Sequence, residues 1–136
     1  MYDAIVNSYV SSIGRGVDTY TKLLLHMNGT DESTTITDSG STGHTVTAED
    51  NAQIDTAVYK FDNASCLFDG TDDYLSVPDH ADWNFGSGLF TIDLWFKLAA
   101  DQAGYFYKQY IDATHQIYID FVTAPSDIVR FYMVNG

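Results

Sequence analysis

The chain has 136 residues, enough for one domain, and sets 19 Asp and Glu against 6 Lys and Arg for a formal charge of −13. That field repels phosphate backbones and anionic membranes, which excludes nucleic acid as an expected partner. With 10 Tyr, 8 Phe and 10 Gly among many Asp, Ser and Thr residues, the composition points to an all-β domain of short strands and frequent turns.

At the N-terminus, Tyr2, Ile5, Val6, Tyr9, Val10 and Ile13 fall at the spacing of one helix face, and Gly14 and Gly16 end the pattern. Residues 1–18 are therefore expected to be a docking arm or short helix, and residues 19–136 a β-sandwich. Met1 to Ile5 carries no basic segment leading into an apolar one, so synthesis in a cytoplasm is expected. No stretch is apolar for long enough to span a bilayer, and membrane insertion is not expected.

From Tyr20 onward the period becomes that of strands. Lys22 to Met27 is an apolar run closed by Asn28-Gly29. Residues 30–56 are polar, with Thr34 to Thr37 and His44 to Thr47 as short edge strands. Ala57 to Phe61 and Cys66 to Phe68 follow. Cys66, the one cysteine, excludes an intrachain disulfide and a thiolate zinc site, and reads as buried filler. Asp73 to Val77 alternates until Pro78, which has no N–H for a ladder. Leu89 to Leu98 is expected to be the longest strand, with Phe90, Ile92, Leu94 and Phe96 buried and Asp93 facing out. Tyr105 to Lys108, Gln116 to Val122 and Ile128 to Val134 complete the series.

Three segments together resemble the laminin-G-like, or concanavalin-A-like, jelly-roll family found in phage tail and other virion proteins. Leu23-Leu24-Leu25-His26-Met27-Asn28-Gly29 resembles its opening strand and turn. Phe68-Asp69-Gly70-Thr71-Asp72-Asp73-Tyr74-Leu75-Ser76-Val77-Pro78 resembles its Phe-Asp-Gly turn and following strand. Trp83-Asn84-Phe85-Gly86 with Phe90-Thr91-Ile92-Asp93-Leu94-Trp95-Phe96-Lys97 resembles its Phe-Thr-Ile…Trp strand. The resemblance covers roughly residues 20–134 and implies an antiparallel jelly-roll sandwich. Family members continue with further strands, so the sandwich is expected to be incomplete at the C-terminus. The fold hosts lectins, enzymes and adhesion domains alike, so it does not by itself assign a function.

The glucanase relatives of that fold carry their carboxylates on one strand as Glu-x-Asp-x-x-Glu. Here Asp93 stands alone, flanked at those positions by Thr91 and Phe96. One carboxylate cannot act as both acid and nucleophile, so no enzyme activity is expected. His26, His44, His80 and His115 are scattered, with no paired spacing for zinc. Asp69, Asp72 and Asp73 cluster in one turn and are candidate ligands of a structural Ca²⁺; the competing reading is a set of solvated turn aspartates. Tyr74 and Trp83 are candidate ligand-binding rings, with packing as the competing role for Trp83. The expected function is a non-catalytic virion or surface module of tail-fibre, decoration or head-fibre type, localised to the virion, with other virion proteins or copies of itself as partners. The alternatives are a lectin domain that binds a cell-surface glycan, a surface or extracellular location, and a non-catalytic domain of a larger glycan-active protein.

Overall fold

The computed structural model describes residues 2–4, 17–99, 103–123 and 128–135. The chain divides into two units, Met1–Lys97 and Leu98–Gly136. All regular structure among the described residues is strand, apart from one turn of 3-10 helix, and no helix there is long and apolar enough to cross a membrane.

The first unit is built from β1 (Tyr2–Ala4), β2 (Thr35–Thr37), β3 (Thr45–Glu49), β4 (Gln53–Asp55), β5 (Ser65–Phe68) and β6 (Tyr74–Ser76). The 3-10 turn η1 (Ala81–Trp83) and β7 (Lys97–Leu98) come next. One sheet has the order β4-β5-β1-β7 and the other β2-β3-β6. The pairings β1–β5, β4–β5, β2–β3 and β3–β6 are antiparallel. Alternate residues of a strand face opposite ways. One face of each sheet therefore contributes to a shared core: Ile36, Val46, Ala48 and Leu75 from the second, and Ile54, Cys66 and Phe68 from the first. Leu25, Met27 and Ala64 join it, and the architecture is sandwich-like.

Lys22 to Met27, expected as the opening strand, forms no strand, and among the described residues it makes a single bridge, Leu25 to Asp38. It still reaches the core, where Leu24, Leu25 and Met27 are buried. The device that holds it is Asp38. This buried carboxylate accepts hydrogen bonds from the amides of Leu24 (2.9 Å), Gly40 (2.7 Å) and His44 (2.7 Å). Three amides that would otherwise lack partners are thereby satisfied by one charged acceptor. A side chain at Gly40 would stand 2.8 Å from Asp38 Oδ1 and 2.9 Å from the Lys22 carbonyl, so the loop admits only glycine there without rearrangement.

Several expectations are corrected. The helix expected from Tyr2 does not begin there: Tyr2–Ala4 is a strand, with Asp3 opposite Leu67 of β5. Residues 5–16 lie outside the described residues. Leu89 to Leu98 is not the longest strand. Only Lys97–Leu98 joins a sheet, and Phe90 and Phe96 are each 38% exposed. Alternation survives as half-buried Ile92 and Leu94 between exposed Thr91, Asp93 and Trp95. An apolar alternation becomes a strand only when a neighbour supplies the hydrogen-bond ladder, and residues 89–96 belong to no sheet strand. Ala57 to Phe61 forms bends and turns in place of a strand, leading to Asp62 and Asn63, both with positive φ. β4, inside the polar stretch, has no counterpart in the sequence pattern.

The second unit is a meander of β8 (Gly104–Asp112), β9 (His115–Val122) and β10 (Ile128–Asn135), in the order β10-β9-β8. The β8–β9 turn at Ala113 and Thr114 is fixed by Asp112, whose carboxylate accepts from the Thr114 amide and hydroxyl, both at 2.8 Å. Thr114 and the neighbouring His115 ring hold the Asp112 carboxyl at about 2.

Candidate functional site

Three places carry chemistry. The first is the turn between β5 and β6 that contains the expected Ca²⁺ ligands. Gly70 takes a φ of +86°, which lets the chain reverse at Asp69-Gly70. Asp69 Oδ1 accepts from the Thr71 amide, 2.8 Å away, and Asp73 Oδ2 accepts from the Asp69 amide. Asp73 Oδ1 accepts from the Asn51 amide at 2.7 Å, which ties this turn to the β3–β4 turn. Asp69, Asp72 and Asp73 each bring a carboxylate oxygen within 4.8 Å of the others. The carboxylates of Asp72, Asp73, Glu49 and Asp69 crowd Asp50, Asp72 foremost, and raise its carboxyl above the ordinary value. The charge density suits a hard cation, while the hydrogen bonds show that Asp69 and Asp73 also build the turn itself. Tyr74 follows at the start of β6 and is exposed.

The second place is a cluster that sequence spacing did not show. His44, at the end of the loop organised by Asp38, meets His80, Asp82 and Trp83 of η1. His80 is the N-cap of η1, its ring Nδ1 accepting from the Asp82 amide at 3.1 Å. Asp82 Oδ2 lies 3.1 Å from His44 Nε2 and 3.3 Å from His80 Nδ1, and it accepts from the Thr42 hydroxyl. On its other side, Asp82 Oδ1 faces the Lys22 ammonium at 3.4 Å. Thr42 first, then Lys22 and His44, hold the Asp82 carboxyl at about 2, so it is ionised at neutral pH. The His44 side chain is 7% exposed, packed at 4.5 Å against Trp83 and at 4.8 Å against His80. Trp83 donates its indole N–H to the Pro78 carbonyl at 3.0 Å. Trp83, a candidate ligand-binding ring, is half-buried in this arrangement. The sequence signal for this cluster is slight: a His-Ala-Asp-Trp run at 80–83, with the partner histidine far upstream.

The third place is one face of the second unit. Cross-strand pairing puts Tyr105 and Asp120, Lys108 and Tyr118, Tyr110 and Gln116, Arg130 and Asp120, and Tyr132 and Tyr118 on the same side. Tyr118 stacks on Tyr132 at 4.7 Å and meets Tyr105 edge-on at 5.4 Å. Lys108 Nζ lies 4.8 Å over Tyr105 and 5.6 Å over Tyr110. Arg130 grips the buried Asp120 with both Nε and Nη2, which lowers the Asp120 carboxyl and raises the guanidinium. The opposite face is apolar, with Ile117 buried and Tyr107 pushed up to about 12 by burial. At the β10 edge of that apolar face, Val129, Phe131 and Met133 are exposed. Comparisons with family models, with curated proteins and with solved structures found no match to this chain.

Proposed function

We propose that the chain is a non-catalytic structural or attachment module of the virion or cell-surface type, such as a part of a tail fibre, decoration protein or head fibre. The finer reading of its sandwich is a laminin-G-like jelly roll. The observation that carries the proposal is the tyrosine face of β8–β10. Four tyrosines share it, three of them exposed, pre-ordered by stacking, by Lys108 and by the Arg130–Asp120 pair. Tyrosine offers large contact area at low conformational cost together with a hydroxyl for orientation, which is why protein interfaces are rich in it. The partners of this reading are other virion proteins or copies of the chain. β10 adds to it as an edge strand with exposed apolar residues, a surface that invites pairing.

The test is incorporation into purified particles from the source, quantified by mass spectrometry. The proposal expects a fixed copy number for the native chain. It expects loss of incorporation for a Tyr118→Ser, Tyr132→Ser double variant that keeps the native melting temperature. Absence of the native chain from particles, together with glycan binding displaced by a monosaccharide, would replace it with the lectin alternative. A structural Ca²⁺ at Asp69, Asp72 and Asp73 belongs to the same proposal, supported by the closeness of the three carboxylates.

A further inference from the structure

We propose that His44, His80 and Asp82 form a binding site for one divalent transition-metal ion of borderline softness, with Zn²⁺ as the probe. This site is independent of the attachment reading. Each of the three residues offers one ligand atom, and the three atoms all lie within 4.8 Å of one another. A tetrahedral zinc with bonds of about 2.0–2.1 Å separates neighbouring ligand atoms by about 3.3 Å. The two nitrogen-to-oxygen separations, 3.1 Å from His44 Nε2 and 3.3 Å from His80 Nδ1 to Asp82 Oδ2, already match that edge.

The donor set chooses the class of ion. Two imidazoles and one carboxylate suit zinc and its transition-metal neighbours, whereas Ca²⁺ and Mg²⁺ want an all-oxygen shell. Three protein ligands leave a fourth position for water. The surroundings hold the ligands in place. Trp83 packs on the His44 ring, and the Asp38 carboxylate holds the His44 amide. Thr42 and Lys22 orient the Asp82 carboxylate, and Lys22 does so on the oxygen that the metal does not use. Hydrogen-bonded outer partners of this kind are what fix metal ligands.

Binding has a defined proton account. His44 gives the metal its Nε2 lone pair, so a proton on Nε2 moves to Nδ1 or leaves to solvent. His80 Nδ1 exchanges its hydrogen bond from the Asp82 amide for the metal. Asp82 gives the metal its Oδ2 lone pair. The His80 side chain is 46% exposed, which gives an ion a route in from solvent. Because the ligands come from two segments, one before β3 and one after β6, the ion would tie them together and stabilise the first unit by linkage.

The experiment uses the full chain, freed of metal by chelation, titrated with Zn²⁺ at pH 7.5 and followed by calorimetry and thermal melting. The native chain is expected to bind one equivalent saturably, with a melting temperature that climbs as free Zn²⁺ rises. The His80→Asn variant keeps a capping acceptor at the start of η1 while removing the imidazole. It is expected to melt within a few degrees of the native chain without metal and to bind Zn²⁺ at least tenfold more weakly. Substituting Co²⁺ should give visible absorption bands that His80→Asn alters. His115→Ala removes the exposed His115–Asp112 pair and is expected to change neither response. An unchanged Zn²⁺ titration in His80→Asn, its loss in His115→Ala, or no saturable binding to the native chain at millimolar Zn²⁺ would overturn the proposal. The triad would then be a hydrogen-bonded clamp alone.

Discussion

The position of the core makes a quantitative contrast between two substitutions. The alternating pattern of 89–98 places Phe90 in the core, while the structure places the core around Ile54, which has no exposed surface. Ile54→Ala removes Cγ1, Cγ2 and Cδ1. At about 0.8 kcal/mol per buried carbon this loses roughly 2.4 kcal/mol, and the cavity brings the cost to about 3–4 kcal/mol. Phe90 is 38% exposed and stacks on Phe85 at 4.4 Å. Its ring borders solvent, so truncation leaves no closed cavity. Partial burial and the aromatic pair together predict about 1–2 kcal/mol for Phe90→Ala, against about 3–5 kcal/mol for a buried phenylalanine. Urea unfolding followed by tryptophan fluorescence reads this contrast, because Trp83 and Trp95, the two tryptophans of the chain, both lie in the first unit. A Phe90→Ala cost equal to or above that of Ile54→Ala would refute this placement of the core and restore 89–98 as its centre.

Asp38→Ala strands the amides of Leu24, Gly40 and His44 and is expected to cost about 3 kcal/mol or more, with Asp38→Asn costing less because its amide oxygen still accepts; urea midpoints decide the order. Burial pushes the Cys66 thiol up to about 12, so a disulfide reagent at pH 8 should label it only as the first unit unfolds, and rapid labelling of the native chain would contradict its burial. Asp82 and Asp112 titrate at about 2, below their unfolded values. Their contribution to stability is therefore complete above about pH 4 and lost as pH falls from about 4 to 2. Asp50, raised by its neighbours, acts in the opposite sense. Acid unfolding followed by circular dichroism should lose part of its slope over that window in Asp82→Asn, and an unchanged slope would count against the clamp. Chelator-treated protein should melt higher on adding Ca²⁺, and Asp72→Asn should abolish that rise; a melt indifferent to Ca²⁺ leaves Asp69, Asp72 and Asp73 as turn formers.

The fold was legible where a strand's pattern and its neighbour agree. Thr35–Thr37, Thr45–Glu49, Ser65–Phe68, Tyr74–Ser76 and the three strands of the second unit all lie close to runs marked by alternation and turn residues. The misses have a common cause. Leu89 to Leu98 alternates more cleanly than any of them, yet alternation records which residues prefer a half-buried face and says nothing of which strand will pair. Gln53–Asp55 errs in the other direction. Its sequence is unremarkable, but Ile54 is drawn into the core while its amide donates to the Ser33 carbonyl and its carbonyl accepts from Glu32. Tyr2–Ala4 shows the same override, since its apolar spacing suits a helix and β5 offers a ladder instead.

The candidate site divides along similar lines, by distance in sequence. The Asp69–Asp73 cluster was visible because its members are near neighbours in one turn and the Asp-Gly pair announces the reversal. The His44 cluster was not, because 36 positions separate His44 from His80 and no spacing rule spans that gap. What closes the gap is the chain of contacts that starts at Asp38. Its carboxylate curls residues 38–44 back against Leu24, and this delivers the His44 amide and with it the ring. Pro78 accepts from Trp83, and His80 caps the turn that presents Asp82. Each step is a local rule of turns and caps that the sequence does carry, in the form of Asp38-Ser39-Gly40 and His80-Ala81-Asp82. Their product is a tertiary fact. Two ordinary turns become a chemical site only because the strands that flank them, β3 and β6, pair in the register that sets Thr47 opposite Ser76.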